Sequence, residues 1–144
     1  MFHSIIRIKN EMAEIPRAGR ETAEMLELQK LPTPFIRTIN LGLEEVTSNI
    51  IKYGYDDDRE RWIEIALDLT ASELQITVTD DGREFNPLNH PDPDPTRPID
   101  DREPGGLGVY FYRRLFDEVQ YQRHAQRNIL ILRKSFDEAQ SPSC

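Results

Sequence analysis

The sequence predicts an α+β fold, a two-layer sandwich in which helices cover one face of a mixed, mostly antiparallel sheet. Three observations lead there. WIEIALDL (62–69) and ELQITVTD (73–80) alternate apolar and polar residues with a period of two, the mark of strands buried on one side. Two earlier stretches repeat apolar residues every three or four positions, the mark of helices with one buried stripe. The elements follow in the order strand, helix, helix, two strands, long loop, helix, two strands, which assigns helices and sheet to separate layers.

The first element, SIIRIK (4–9), is short and rich in isoleucine, as suits an opening strand. From 10 to 30, Met12, Ile15, Ala18, Thr22, Met25, Leu26 and Leu28 recur at helical spacing, with Asn10 as the expected N-cap and Pro16 near the first turn. The break LPTP (31–34) separates this from a second helix over about 35–53, whose stripe is Ile39, Leu43, Val46 and Ile50 and which ends at Gly54. Two strands follow, joined by the hairpin turn TAS. In the first, Ile63, Ile65, Leu67 and Leu69 share a face. In the second, Leu74, Ile76 and Val78 do so, and the same parity carries Asp80 to the buried side, where an acid needs a partner. Residues 82–106 hold six of the ten prolines and no periodicity, and read as a long functional loop or lid. GLGVYFYRRLFDE then predicts a helix, VQYQR and NILILRKSF a closing strand pair, and residues 138–144 a frayed tail. A chain of 144 residues suits a single domain, expected over 1–137.

Composition narrows the function. Twenty-six acids against 18 bases give a net charge of −8, which repels a polyphosphate backbone and argues against direct nucleic-acid binding. No apolar run approaches the ~20 residues of a membrane span, and MFHSIIRIKNE lacks the pattern of a signal peptide, so a cytoplasmic protein is expected. The only cysteine is Cys144, which leaves no internal disulfide and no thiolate cage. His3, His90 and His124 are scattered without metal-ligand spacing and outside any helical phosphoacceptor setting.

Three clusters could carry chemistry. Glu45 and Asn49 are one helical turn apart and project the same way, with Gly42 a turn earlier leaving space beside them. Such residues more often belong to a solvated helix face. What raises them is their company. DDG (80–82) ends a strand with Asp80 facing inward, able to accept a hydrogen bond from a buried amino group such as that of adenine; Asp81 reads more simply as a turn residue. GGLG (105–108) opens a helix, where glycines admit close approach and free N–H groups attract phosphate oxygens. GGLG matches neither a P-loop nor the dinucleotide G-x-G-x-x-G. Tyr110, Phe111, Tyr112 and Phe116 crowd one helix, more than one face can bury, and some are expected to face a partner.

In combination the clusters resemble the GHKL superfamily of ATP-binding domains, which has the Bergerat fold, and within it the small anti-sigma-factor serine kinases of the RsbW and SpoIIAB type. LGLEEVTSNIIKYGY looks like the N box, VTDDGREFNP like the first glycine box and GGLGVYFYRRLFDEVQY like the second. The resemblance implies ATP and Mg²⁺ as cofactors, with Asn49 helping to coordinate the ion on the phosphates and Glu45 as general base toward a serine hydroxyl. It implies Asp80 as the adenine-reading acid and Gly82 as the glycine beside the base. Gly106 and Gly108 correspond to phosphate-contacting glycines, with Leu107 between them grouped among the nucleotide contacts and Arg102 reaching toward the γ-phosphate. The implied partners are a sigma factor or similar client, a small anti-sigma-factor antagonist of STAS fold that is phosphorylated and released, and a second copy in a homodimer. Glu84 stands where many members carry a second glycine, which implies a stiffer front hinge for the lid. A nucleotide-binding adaptor without phosphotransfer and a small GHKL ATPase remain as alternatives.

Overall fold

Five strands form one sheet in the order β1-β2-β3-β5-β4 in a computed structural model that describes residues 1–89, 96 and 106–136. The strands are β1 (Phe2–Lys9), β2 (Trp62–Leu69), β3 (Glu73–Asp80), β4 (Glu118–His124) and β5 (Arg127–Ser135). Three helices accompany them: α1 (Ile15–Leu28), α2 (Thr33–Tyr53) and α3 (Gly106–Leu115). All four strand pairings are antiparallel, so the sheet is not mixed. The connection from β3 to α3 lets β5 pair with β3 while β4 takes the outer edge.

Period-two alternation decides which face is covered. Ile6 and Ile8 of β1, Ile63 to Leu69 at alternate positions of β2, Leu74, Ile76 and Val78 of β3, and Leu130 and Leu132 of β5 are all buried. The registers bring these positions opposite one another across the sheet. The helices contribute Ala18 and Leu26, then Phe35, Ile36, Ile39, Leu43 and Val46, then Val109 and Tyr112 to the same cluster, so they lie on that one face. The opposite face carries polar pairs, among them Arg7 with Glu64 and Arg133 with Gln75 and Glu118.

Several boundaries differ from the periodicity. Asn10 is not a helix cap. Its amide donates to the Arg59 carbonyl (3.2 Å) and its oxygen accepts from the Arg61 N–H (2.9 Å), tying the end of β1 to the approach to β2. A 3-10 turn, Met12–Glu14, precedes α1, and Pro16 stands in the first turn of that helix, where a missing N–H costs nothing. Glu14 accepts from the Lys9 N–H (3.0 Å) and from Arg17, which itself donates to the Arg7 carbonyl (2.8 Å) and locks α1 to β1. Helix α2 begins at Thr33, two residues before the predicted start at about 35, because Pro34 is tolerated in a first turn, and Gly54 caps it. Its entrance is pinned by Phe35, edge-on to Phe136 after β5 at 5.6 Å. Helix α3 stops at Leu115, short of the predicted Glu118, which opens β4 instead. The sequence predicts a tail at 138–144, and it lies outside the described residues together with most of the expected lid.

Candidate active site

The site grows from the C-terminal half of α2. Val46 and Leu43 anchor this helix in the core, so that Glu45 and Asn49 emerge on an adjoining, half-buried flank. Gly42 does not leave a vacancy beside them. The Phe116 ring lies where its side chain would be, and a Cβ there would stand 2.4 Å from the ring. That fit brings α3 alongside α2. At the other end of α3 a Cβ on Gly108 would sit 2.8 Å from Glu45 Oε2 and 3.0 Å from Asn49 Nδ2. The first turn of α3, led by Gly106, is therefore packed against both side chains. Leu107 is half-exposed on the outer side, and Arg102 lies outside the described residues.

Asp80 ends β3 on the buried side, 5% exposed. Its Oδ1 accepts from the Gly82 N–H (2.8 Å) and from Asn128 Nδ2 (3.0 Å). The second carboxylate oxygen has no hydrogen-bond partner among the described residues. Burial pushes the Asp80 carboxyl above the ordinary carboxylate range, while the bonds from Asn128 and Gly82 pull it back down; Asp81 adds to the rise and Arg123 opposes it. Gly82 is required by close approach: a Cβ would meet the Gly54 carbonyl oxygen at 2.6 Å. The same carbonyl accepts from the Arg83 N–H (2.8 Å) and so joins the end of α2 to the turn after β3.

These parts border one solvent-open hollow, about 580 Å³ counting the open solvent at its mouth. Asn49 and Asp80 both line it, between Val46, Ile50 and Tyr112 on the helices and Phe85 and Leu130 below. Glu45 stands just beyond, across Gly108. An apolar slot with few, convergent polar groups suits a flat heterocycle. Among the described residues no three His, Cys, Asp or Glu side chains gather as a metal site, and no helix is long and apolar enough to cross a membrane.

Some of the lining is not anticipated by the sequence motifs. Residues 83–89 begin the predicted lid, yet Phe85 and Pro87 are part of the wall. Asn128, buried in the lining of the hollow, belongs to none of the three motifs. It shares the parity of Leu130 and Leu132 on β5, and that signal marks it as inward-facing. Of the four crowded aromatics, Tyr112 and Phe116 are core, Tyr110 stacks with Arg114 at 4.3 Å and Phe111 is 42% exposed. His3 and His124 are exposed, His3 paired with Asp68, and His90 lies outside the described residues.

Known proteins resemble this chain. A serine/threonine-protein kinase, BtrW, from Bordetella bronchiseptica is 28% identical over 95 residues, covering 66% of this chain and 67% of that protein. The serine-protein kinase RsbW of Bacillus subtilis is 26% identical over 95 residues, covering 62% of this chain and 59% of its own length. The chain thus spans about three-fifths to two-thirds of these relatives. A solved structure of the RsbU and RsbW domains of a Mycobacterium tuberculosis protein superposes with a TM-score of 0.67 at 16% identity, over 95% of this chain and 34% of that one, a likeness of fold. The profile of the histidine kinase-like ATPase domain matches residues 8–134, from β1 into β5 and across every part of the hollow, and the chain belongs to that family.

Proposed function

We propose that the chain is an ATP-dependent serine/threonine protein kinase of the anti-sigma type, acting in the cytoplasm on a small antagonist protein of STAS fold and holding a sigma factor or similar client, as a homodimer. The observation that carries the reading is Asp80: a buried carboxylate with one oxygen fully bonded and the other without a partner among the described residues, in the wall of a hollow that Asn49 also lines. Burying such a group is costly unless something completes it, and the exocyclic amine of adenine has the required donor. The relatives named as serine kinases add weight to the phosphotransfer.

In this reading the base enters between Ile50 and Phe85 with its amine on Asp80, and the phosphates lie toward Asn49 and the first turn of α3. Gly106 and Gly108 let the backbone N–H groups approach them, with Leu107 turned outward, while the role assigned to Arg102 is the one the resemblance implies, contact with the γ-phosphate. Mg²⁺ fits a site that offers one neutral carboxamide oxygen, because that ion keeps several waters and draws on substrate phosphates. When bound it would neutralise charge on the phosphates. Glu45, which meets Gly108 together with Asn49, would accept the proton of an incoming serine hydroxyl as its oxygen attacks the γ-phosphorus and the bridging oxygen leaves on ADP.

Incubation with labelled ATP, Mg²⁺ and a STAS-type antagonist encoded beside this chain tests it. Label should pass to the antagonist, and Glu45→Ala should reduce the rate about 10²–10⁴-fold with ATP affinity preserved. ATP binding without transfer would point to an adaptor instead, and turnover without any protein substrate to a simple ATPase.

A further inference from the structure

Beneath Asp80 lies a connected set of polar groups that the motif residues do not include. Asn128, 6% exposed, donates from Nδ2 to Asp80 Oδ1 (3.0 Å) and to the Arg83 carbonyl (2.8 Å). Its Oδ1 accepts from the Tyr121 hydroxyl (2.5 Å), Arg123 Nη1 (3.1 Å) and the Phe85 N–H (3.3 Å). Arg123 Nη1 also donates to the Gly82 carbonyl (2.8 Å). Both faces of the Asn128 amide are therefore saturated, and the side chain has no donor left for a ligand. Its orientation follows from chemistry: the amide nitrogen meets a carboxylate and a carbonyl, while the oxygen meets three donors. A residue so placed can act on a ligand only through Asp80 and the turn at 82–85.

We propose that Asn128, braced by Tyr121 and Arg123, is a positioning residue that holds Asp80 in a one-oxygen reading geometry and thereby sets the preference for adenine over guanine. The inference rests on the nucleotide reading of the hollow and deepens it. With Oδ1 taken by Asn128 and the Gly82 N–H, Asp80 presents a single acceptor, which matches the single amino group at the edge of adenine. The guanine edge offers adjacent N1–H and N2–H donors, which are best met by both oxygens of a carboxylate, and its O6 repels one. Releasing Oδ1 frees the carboxylate to turn and present both. Asn128 and the Gly82 N–H also favour the ionised carboxylate against the burial that opposes it. The other titratable groups around it are Asp81 and Arg83 in the following turn, Tyr55 after α2, Tyr112 on α3, and Tyr121 and Arg123 on β4. Burial keeps the Tyr121 phenol above its ordinary range, so it remains a donor to Asn128.

Calorimetric titration of the full chain with ATP and with GTP, each with Mg²⁺, from about pH 5 to about pH 8 tests the assignment. The wild type should prefer ATP and lose affinity toward acid as Asp80 takes up a proton. Asn128→Ala should bind ATP about tenfold more weakly, lose most of its preference over GTP, and begin its acid loss at higher pH, because a bond favouring the charged form has gone. Tyr121→Phe, which deletes one hydroxyl, should move all three in the same direction by about threefold in affinity, and it decides the matter if Asn128→Ala fails to fold. Equal losses for ATP and GTP with the acid limb unmoved, or no change in either variant, overturn the proposal. A wild type that binds ATP through Asp80 alongside such unresponsive variants overturns this inference alone, whereas a wild type that binds no adenine nucleotide overturns the reading of the hollow as well.

Discussion

At the Asp80 end of the hollow the frame is tied by hydrogen bonds: Oδ1 has two donors, the Asn128 side chain has five hydrogen bonds, and the Gly54 carbonyl closes on both Gly82 and the Arg83 N–H. At the Glu45 end two half-buried side chains lean on the glycine-led first turn of a helix, and the loop that leads into that turn lies outside the described residues. The difference separates two tasks. Recognising a flat base rewards a rigid polar frame, because an acceptor misplaced by rotation loses its selectivity. Passing a phosphoryl group to a protein hydroxyl requires room for a second macromolecule and for a carboxylate that adjusts to it. On the proposed function, the Asp80 end reads the base and the Glu45 end serves the transfer.

Three substitutions probe that contrast, and a fourth, outside the hollow, serves as its control. Asp80→Asn keeps the Oδ1 acceptor and both of its protein donors but presents an amide nitrogen toward the base, donor against donor. ATP affinity by calorimetry should fall about 10- to 100-fold, while the melting temperature of the unliganded protein holds or rises, since a buried charge has been removed. An unchanged affinity would detach the rigid end from nucleotide altogether. Next come matched glycine replacements. Gly82→Ala drives a Cβ into a backbone oxygen that cannot yield, and should cost about 1–3 kcal/mol in denaturant unfolding. Gly108→Ala meets only the ends of the Glu45 and Asn49 side chains, so stability should change by less than about 1 kcal/mol while transfer to the antagonist drops. Equal destabilisation by the two would erase the distinction between the ends. The smallest effect lies outside the hollow, in the β4–β5 hairpin that carries Tyr121, Arg123 and Asn128. Ala125 and Gln126 occupy its tip with φ of 50° and 64°, a conformation that favours glycine, and Gln126→Gly should raise stability by about 1 kcal/mol without altering ATP affinity.

Much of this was open to a reading of the chain. The two-residue period of ELQITVTD carries Asp80 inward, and the four-residue spacing of Glu45 and Asn49 sets both on one flank, since each follows from local backbone geometry. Asn10 misled because a polar residue ahead of an apolar-periodic run has the form of an N-cap, and only the position of the 59–61 segment shows where its amide bonds. Gly42 misled for a related reason: a glycine in a sequence reads as space, and the ring that fills it comes from Phe116, 74 residues away.

By itself the sequence determined the elements, the buried face of each strand, the flank of α2 that carries Glu45 and Asn49, and the glycines that open α3, all through short-range periodicity and steric freedom. Tertiary structure alone decided that Asp80 meets Asn128, 48 positions along, and that Gly108 meets Glu45 and Asn49. Those meetings depend on the register of β3 against β5 and on the packing of α3 against α2. Both are set by the burial of the whole apolar face, and no local stretch of sequence encodes that sum.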